Sequence, residues 1–202
     1  KASKDPLVKA ALAMRPLLKE LEERNERRAG ERLLLAPKYA VAMREALDGA
    51  LAPDANSTLR VTYGTVKRRG EGRPFTVVSE IPAKDKGEEP FDAPKALLDA
   101  ARAKQWGRYA DPTLGEVPVD FLSDVDTTGG NSGSPTLNDR GELVGLLFDG
   151  TIESVSSDVV FDPVITRSIH ADIRYVLWTM DLVDGADHLL TEMGVTPSLP
   201  TN

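Results

Sequence analysis

The hydrophobic period of this chain changes once, near residue 58, and that change limits the fold more than any other feature. Before it, Leu7, Ala11, Met14, Leu18 and Leu21 recur three and four residues apart, which puts them on one helix face. Pro16 lies within this run and predicts a kink or break, because proline removes a helical hydrogen bond. The polar stretch 22–32 separates it from a second helical pattern, opened by Pro37, with Ala40, Met43 and Leu47 on one face. Gly49 and Pro53 are stop signals. Residues 1–57 therefore read as an antiparallel helical hairpin. Its apolar face needs a partner, since short helices are marginal alone.

After residue 58 the period is that of strands. Leu59, Val61 and Tyr63 alternate with Arg60 and Thr62, which predicts a half-buried strand ending near Gly64. Further strands are expected over 75–81, 117–122, 134–137, 142–148, 159–162 and 167–173. Helices are expected over 94–104, 174–183 and 186–193, and Asn138-Asp139-Arg140-Gly141 reads as a turn. Short strands at regular spacing point to a β-barrel or sandwich. The fold class is mainly β with helices: a helical segment 1–57, then a β-rich domain 58–202.

Composition excludes several functions. The chain is 41% hydrophobic and 28% charged, as in globular proteins with a real core. No apolar run approaches the roughly 18–20 residues of a membrane span, and no signal peptide is visible in the first 20 residues. The start at Lys rather than Met suggests that sequence lies upstream. The absence of cysteine rules out disulfides, thiolate zinc sites and a Cys nucleophile. The only histidines, His170 and His188, are far apart, so neither a metal nor another cofactor is expected. A net charge of −7 argues against nucleic acid as a partner. Residues 1–50 hold eleven Lys/Arg against eight Asp/Glu, the remainder fourteen against twenty-four; this reads as a salt-bridged helical segment beside an acidic domain.

The stretch Thr127-Thr128-Gly129-Gly130-Asn131-Ser132-Gly133-Ser134-Pro135 carries the chemistry. A nucleophilic serine must project from a tight turn, near backbone N–H groups aimed at a developing oxyanion. Glycines around Ser132 permit positive φ and close approach to substrate. The alternative is a glycine-rich turn with an ordinary serine. An α/β-hydrolase elbow would need Gly-x-Ser-x-Gly between a strand and a helix, whereas here Ser134 takes the last glycine position and a strand follows. The loop is similar to the Gly-Asp-Ser-Gly-Gly-Pro loop of chymotrypsin-like peptidases, with Asn131 in place of the acid.

Beyond that loop, Tyr63-Gly64-Thr65-Val66, Lys86-Gly87-Glu88-Glu89-Pro90-Phe91-Asp92, Gly107-Arg108-Tyr109-Ala110-Asp111, Phe121-Leu122, Gly141-Glu142-Leu143-Val144-Gly145, Phe148-Asp149-Gly150 and Asp172-Ile173-Arg174-Tyr175-Val176-Leu177-Trp178 resemble, in order, the S46 dipeptidyl aminopeptidases of bacteria, the dipeptidyl-peptidase 7 and 11 group. The resemblance covers most of 58–195. It implies a chymotrypsin-like double β-barrel with an inserted helical domain, so that 1–57 would end the helical domain and 58–202 would form the C-terminal barrel. It implies a serine exopeptidase that releases dipeptides from free N-termini. Ser132 would be the nucleophile, and the N–H groups of Gly130 and Ser132 the oxyanion hole. Phe148, Asp149 and Gly150 would bind substrate: Asp149 holds the α-ammonium, and Gly150 leaves an open, uncharged floor that suits apolar residues before the scissile bond. The partners it implies are peptides with a free N-terminus and the N-terminal barrel of the same chain, with a homodimer allowed. The location it implies is the periplasm or cell surface of a Gram-negative bacterium.

Serine attack also needs a histidine base oriented by a carboxylate. Chymotrypsin-like chains carry both before the serine, and no histidine precedes Ser132. His170, 38 residues after it, and His188 read as surface or packing residues. The triad His and Asp are expected outside this sequence, and the chain alone is expected to be inactive. Two other readings remain: a complete small enzyme using Ser132 and His170, and a non-catalytic binding module on a protease-like barrel.

Overall fold

The computed structural model describes residues 4–47, 58–158 and 161–198. The chain divides into two units, Lys1–Thr58 and Leu59–Asn202.

In the first unit, α1 (Pro6–Leu47) is a single helix of 42 residues with Pro16 and Pro37 inside it. Asp5 starts it, its Oδ1 accepting from the N–H of Leu7 at 2.8 Å. The helical hairpin expected here is therefore corrected to one helix. The stretch 22–32, read as a break, is mostly Glu and Arg. These are good helix formers, so propagation continues where polarity alone suggested a turn. Leu7, Leu12, Met14, Leu17, Leu18, Leu33, Leu34 and Leu35 remain exposed along it. No described helix is long and apolar enough to cross a membrane.

The second unit is a mixture of helices and one antiparallel sheet. Its strands are β1 (Phe75–Val77), β2 (Pro118–Ser123), β3 (Pro135–Leu137), β4 (Leu143–Gly150) and β5 (Ser168–Asp172). They lie in the order β1-β2-β5-β4-β3, each antiparallel to its neighbour. Five of the expected strands thus form, but 75–81 yields only a short one before turning into α2 (Ile81–Lys84). The strand expected at 59–64 does not form. Leu59, Val61 and Tyr63 are exposed, and this segment meets the sheet through a single bridge, Val66 to Ser123. Alternation states which face a strand would bury, but a strand also needs a neighbour along its edge. Gly64 is packed tightly here: a Cβ on it would lie 2.5 Å from Asp124 Oδ1, which accepts from the N–H of Thr65. Of the strand expected over 159–162, residues 159–160 lie outside the described residues and 161–162 are irregular.

Three helices complete this unit: α3 (Lys95–Ala103), α4 (Ile173–Trp178), which continues into a π-helical turn at Thr179–Val183, and α5 (Asp187–Glu192). Leu97, Leu98 and Ala101, which their sequence spacing turns inward, are buried on α3 together with Ala100. They belong to a core with Val78, Tyr109, Val117, Trp178 and Leu182. Asp172 caps α4 by accepting from the N–H of Arg174 and also pairs with its guanidinium, which reaches Asp111 as well. Two of the motifs read from sequence, 107–111 and 172–178, are thereby clasped together.

Candidate active site

The loop from Thr127 to Ser134 joins the end of β2 to the edge strand β3 and is fastened at both ends. At its start, Ser168 Oγ donates to Val125 O at 3.0 Å, so Thr127 Oγ1 is the donor in its 2.6 Å contact with Ser168. In the middle, the N–H of Thr128 donates to Asn131 Oδ1 at 3.0 Å while the N–H of Asn131 donates back to Thr128 O. At its end, the N–H of Ser134 donates to Asn131 O, and that of Gly133 to Leu147 O on β4. Gly130 at φ +104° and Gly133 at φ +81° take conformations that strain other residues.

This pattern sorts the backbone donors. The N–H groups of Asn131, Gly133 and Ser134 are used inside the protein. Those of Thr127, Gly129, Gly130 and Ser132 meet no acceptor among the described residues, and Ser132 is exposed. Donors left open beside a hydroxyl can receive an oxyanion formed when that hydroxyl attacks a carbonyl.

Strand pairing brings the second group of predicted residues to the same corner. Because Pro135 pairs with Leu146 and Gly133 bonds Leu147, the loop lies against the end of β4, where Phe148, Asp149 and Gly150 follow. The β4–β5 register shifts there: Leu147 faces His170 and Asp149 faces Ile169, leaving Phe148 as a bulge. Bulges re-aim side chains, and both Phe148 and Asp149 are exposed. Asp149 Oδ1 accepts from the N–H of Gly150 at 2.8 Å.

Gly150 requires a correction. A Cβ there would lie 3.0 Å from Ser154 Cβ, so the position is not simply open space. Ser154 is held firmly, its Oγ donating to Arg167 O and accepting from the N–H of Arg167. A side chain here would have to displace Ser154 by a few tenths of an ångström, whatever the glycine contributes to substrate choice.

His170 is a packing residue. It is buried, Nε2 contacts Ser123 Oγ and Nδ1 contacts Thr136 Oγ1, each at 2.7 Å, and its ring stacks on Phe121. Burial pushes its pKa down to about 4. With both nitrogens occupied it is not placed to take a proton from Ser132, which removes the reading of a complete enzyme built on that pair. His188 is exposed on α5.

Sequence reasoning missed the parts played by four residues. Ser168 and Thr127 lock the loop's entrance across 41 residues, and nothing local in the sequence announces such a pair. Arg167 is buried with its guanidinium donating to four carbonyls, those of Arg68, Pro163, Val164 and Thr166. Charge in a strand pattern reads as solvent-facing, so this one was invisible. Asn131, read only as a replacement for an acid, closes the turn.

The model of the family described as Peptidase S46 matches residues 1–195. An Asp/Glu-specific dipeptidyl-peptidase of Shewanella putrefaciens is 41% identical over 95% of this chain and 30% of its own length. The dipeptidyl-peptidase 7 of Capnocytophaga gingivalis is 44% identical over 78% of this chain and 23% of its own. The crystal structure of Porphyromonas endodontalis DPP11 in complex with the dipeptide Arg-Glu is similar at TM-score 0.70 and 37% identity, over 77% of this chain and 23% of that one. The chain thus spans less than a third of the length of these relatives. On the family match and these identities together, the chain belongs to the peptidase S46 family.

Proposed function

We propose that this chain is the nucleophile-bearing part of a serine dipeptidyl aminopeptidase, acting on peptides with a free N-terminus. The observation that carries the reading is the 127–134 loop, a turn in which Ser132 is exposed and the N–H groups of Gly129, Gly130 and Ser132 are unused among the described residues. We assign those of Gly130 and Ser132 to the oxyanion hole. In this reading Ser132 Oγ bonds to the scissile carbonyl carbon and gives its proton to a histidine outside this sequence. The carbonyl oxygen becomes an oxyanion that accepts from those two N–H groups. The tetrahedral species then collapses with loss of the amine, and water releases the dipeptide. The five-stranded sheet would belong to the second barrel of a double β-barrel, with residues 1–57 closing a helical domain.

Asp149 would hold the substrate's α-ammonium. It is exposed, and the pairing of β3 with β4 keeps it close in the fold to the serine loop. A fixed carboxylate distinguishes an ammonium from an internal amide by a charge-assisted hydrogen bond. At the residue before the scissile bond we propose a preference for apolar over acidic side chains, because no cation stands at Gly150. The related enzymes include one named Asp/Glu-specific dipeptidyl-peptidase and one named dipeptidyl-peptidase 7.

The test is digestion by the full-length protein of one peptide with its N-terminus free and the same peptide acetylated. Dipeptides should be released from the free form only. Asp149→Asn should lower kcat/KM on the free form by about a hundredfold, as loss of a charged pairing partner does. Equal cleavage of both forms would refute the exopeptidase reading; equal losses on both in the variant would refute the role of Asp149.

A further inference from the structure

The serine loop is two turns in succession, and Asn131 belongs to both. Its N–H donates to Thr128 O at 3.1 Å, closing a turn with Gly129 and Gly130 at the centre. The N–H of Ser134 donates to Asn131 O at 2.9 Å, closing a second turn with Ser132 and Gly133 at the centre. The third residue of each turn is a glycine at positive φ, Gly130 at +104° and Gly133 at +81°. In such turns the N–H groups of the two central residues take no part in the closing bond. Gly133 gives its own to Leu147 O, so those of Gly129, Gly130 and Ser132 are left open among the described residues.

Asn131 ties the first turn twice. Besides the main-chain bond, its Oδ1 accepts from the N–H of Thr128 at 3.0 Å, so the N–H and the C=O of Thr128 are both bonded to one residue. Between these ties lie two glycines, whose backbones can exchange positive for negative φ at little steric cost. Such an exchange would re-aim the N–H of Gly130. Packing does not prevent it: a Cβ on Gly129 or Gly130 would meet no atom within 4 Å beyond the chain neighbours, and both residues are exposed. The ties from Asn131 are what holds this peptide.

We propose that Asn131 is a positioning residue, whose side-chain carbonyl holds the Gly129-Gly130 peptide so that the N–H of Gly130 joins that of Ser132 on the oxyanion. This rests on the reading of Ser132 as the nucleophile and deepens it. The side chain acts through the N–H of Thr128 and touches no reacting atom. Donors stabilise a developing charge most when they are fixed before it forms, and here a side chain does the fixing. A carboxylate at this position would offer the same acceptor, a methyl group none.

The test compares full-length wild-type protein with Asn131→Ala and Asn131→Asp on chromogenic dipeptidyl substrates carrying Leu or Glu at the second position. Two ligands are titrated alongside: a dipeptidyl boronate, which forms a tetrahedral adduct with a serine hydroxyl, and a free dipeptide, which does not. Asn131→Ala should lower kcat by about a hundredfold, the scale of a displaced oxyanion donor, with KM changed by less than about threefold. Its affinity for the boronate should fall about as far as kcat, while that for the dipeptide stays at the wild-type value. Asn131→Asp should recover most of the lost kcat, and both variants should keep the wild-type unfolding midpoint. An unchanged kcat in Asn131→Ala, equal losses of boronate and dipeptide affinity, or Asn131→Asp as slow as Asn131→Ala would overturn the proposal while leaving the peptidase reading intact. Failure of Asn131→Ala to fold would overturn it too, by marking a residue of the fold. Failure of the wild type to cleave either substrate, or full activity in Ser132→Ala, would overturn the peptidase reading, and this inference with it.

Discussion

Around Trp178 most polar groups are closed on one another, the buried Thr179 Oγ1 being an exception. Tyr109 donates to Asp181 at 2.6 Å, and the same carboxylate accepts from the N–H and hydroxyl of Ser198. The Trp178 indole donates to Gln105 O, and Arg174 lies between two aspartates. Asp181 and Trp178 are wholly buried. Around Ser132 the reverse holds: the N–H groups of Gly129, Gly130 and Ser132 have no acceptor among the described residues, and Ser132 and Asp149 are exposed. A buried polar group left unpaired costs about 1–3 kcal/mol, so a region that must hold the fold together pairs its groups. A region that must receive a ligand keeps donors free and places them where water can be displaced. Damage at the first should therefore appear as lost stability, and damage at the second as lost chemistry.

The largest expected effect breaks the second region alone. If the proposed function holds, Ser132→Ala in the full-length protein should lower kcat by about 10⁶, the scale of removing a serine nucleophile. The side chain is exposed, so the unfolding midpoint should stay where it is. Retention of a large fraction of the activity would make the 127–134 loop structural. The next effect belongs to the first region. Trp178→Ala should destabilise by about 3–5 kcal/mol, because it removes a fully buried ring and leaves a cavity. The measure is the shift in urea midpoint followed by circular dichroism. A shift under about 1 kcal/mol would mean that the core can close over the gap and that the two regions differ less than their hydrogen bonding implies.

Much of the contrast could be read from residue order. The glycines about Ser132 announce a turn that only small residues can make, and the period of 94–104 announces the buried face of α3. Phe148, Asp149 and Gly150 came from resemblance, and the fold brings them to the serine loop through the pairing of β3 with β4. What sequence failed to convey was pairing at a distance. Leu59, Val61 and Tyr63 alternate as a strand should but find no neighbour in the sheet, and residues 22–32 are polar yet helical. Ser168 acquires its partners across 41 and 43 residues, and Arg167 one of its four carbonyls across 99. Gly150 looked like open space because a sequence does not show Ser154 behind it. Local rules describe what a residue prefers, and contacts across dozens of residues decide whether the preference is met.

His170 sharpens the comparison, because it lies next to the serine region yet is built like the other. Both of its nitrogens are occupied by hydroxyls, Thr136 on β3 and Ser123 on β2, and it is buried beneath the sheet with its pKa near 4. Its reference value in an unfolded chain is about 6.5. Between these values the unfolded chain binds a proton that the folded one refuses, so stability must fall as the pH drops from about 6.5 to about 4, and this contribution is constant below that. The full loss is about 3 kcal/mol for such a shift. Carboxylates titrate nearby in pH and must be separated out. Asp111 and Asp124 are held below the usual range, Asp111 by its hydrogen bond from Arg174 and Asp124 by its hydrogen bond from Lys67, and their contributions are lost only at the acid end. Asp126, raised by burial, acts in the opposite direction. The measurement is therefore a difference. Urea midpoints at pH 7 and pH 4.5 should separate by about 2 kcal/mol less in His170→Gln than in the wild type, with the carboxylate contributions common to both. Equal separations would show that His170 already carries its proton in the folded protein, and would place this residue with the open groups around Ser132 instead.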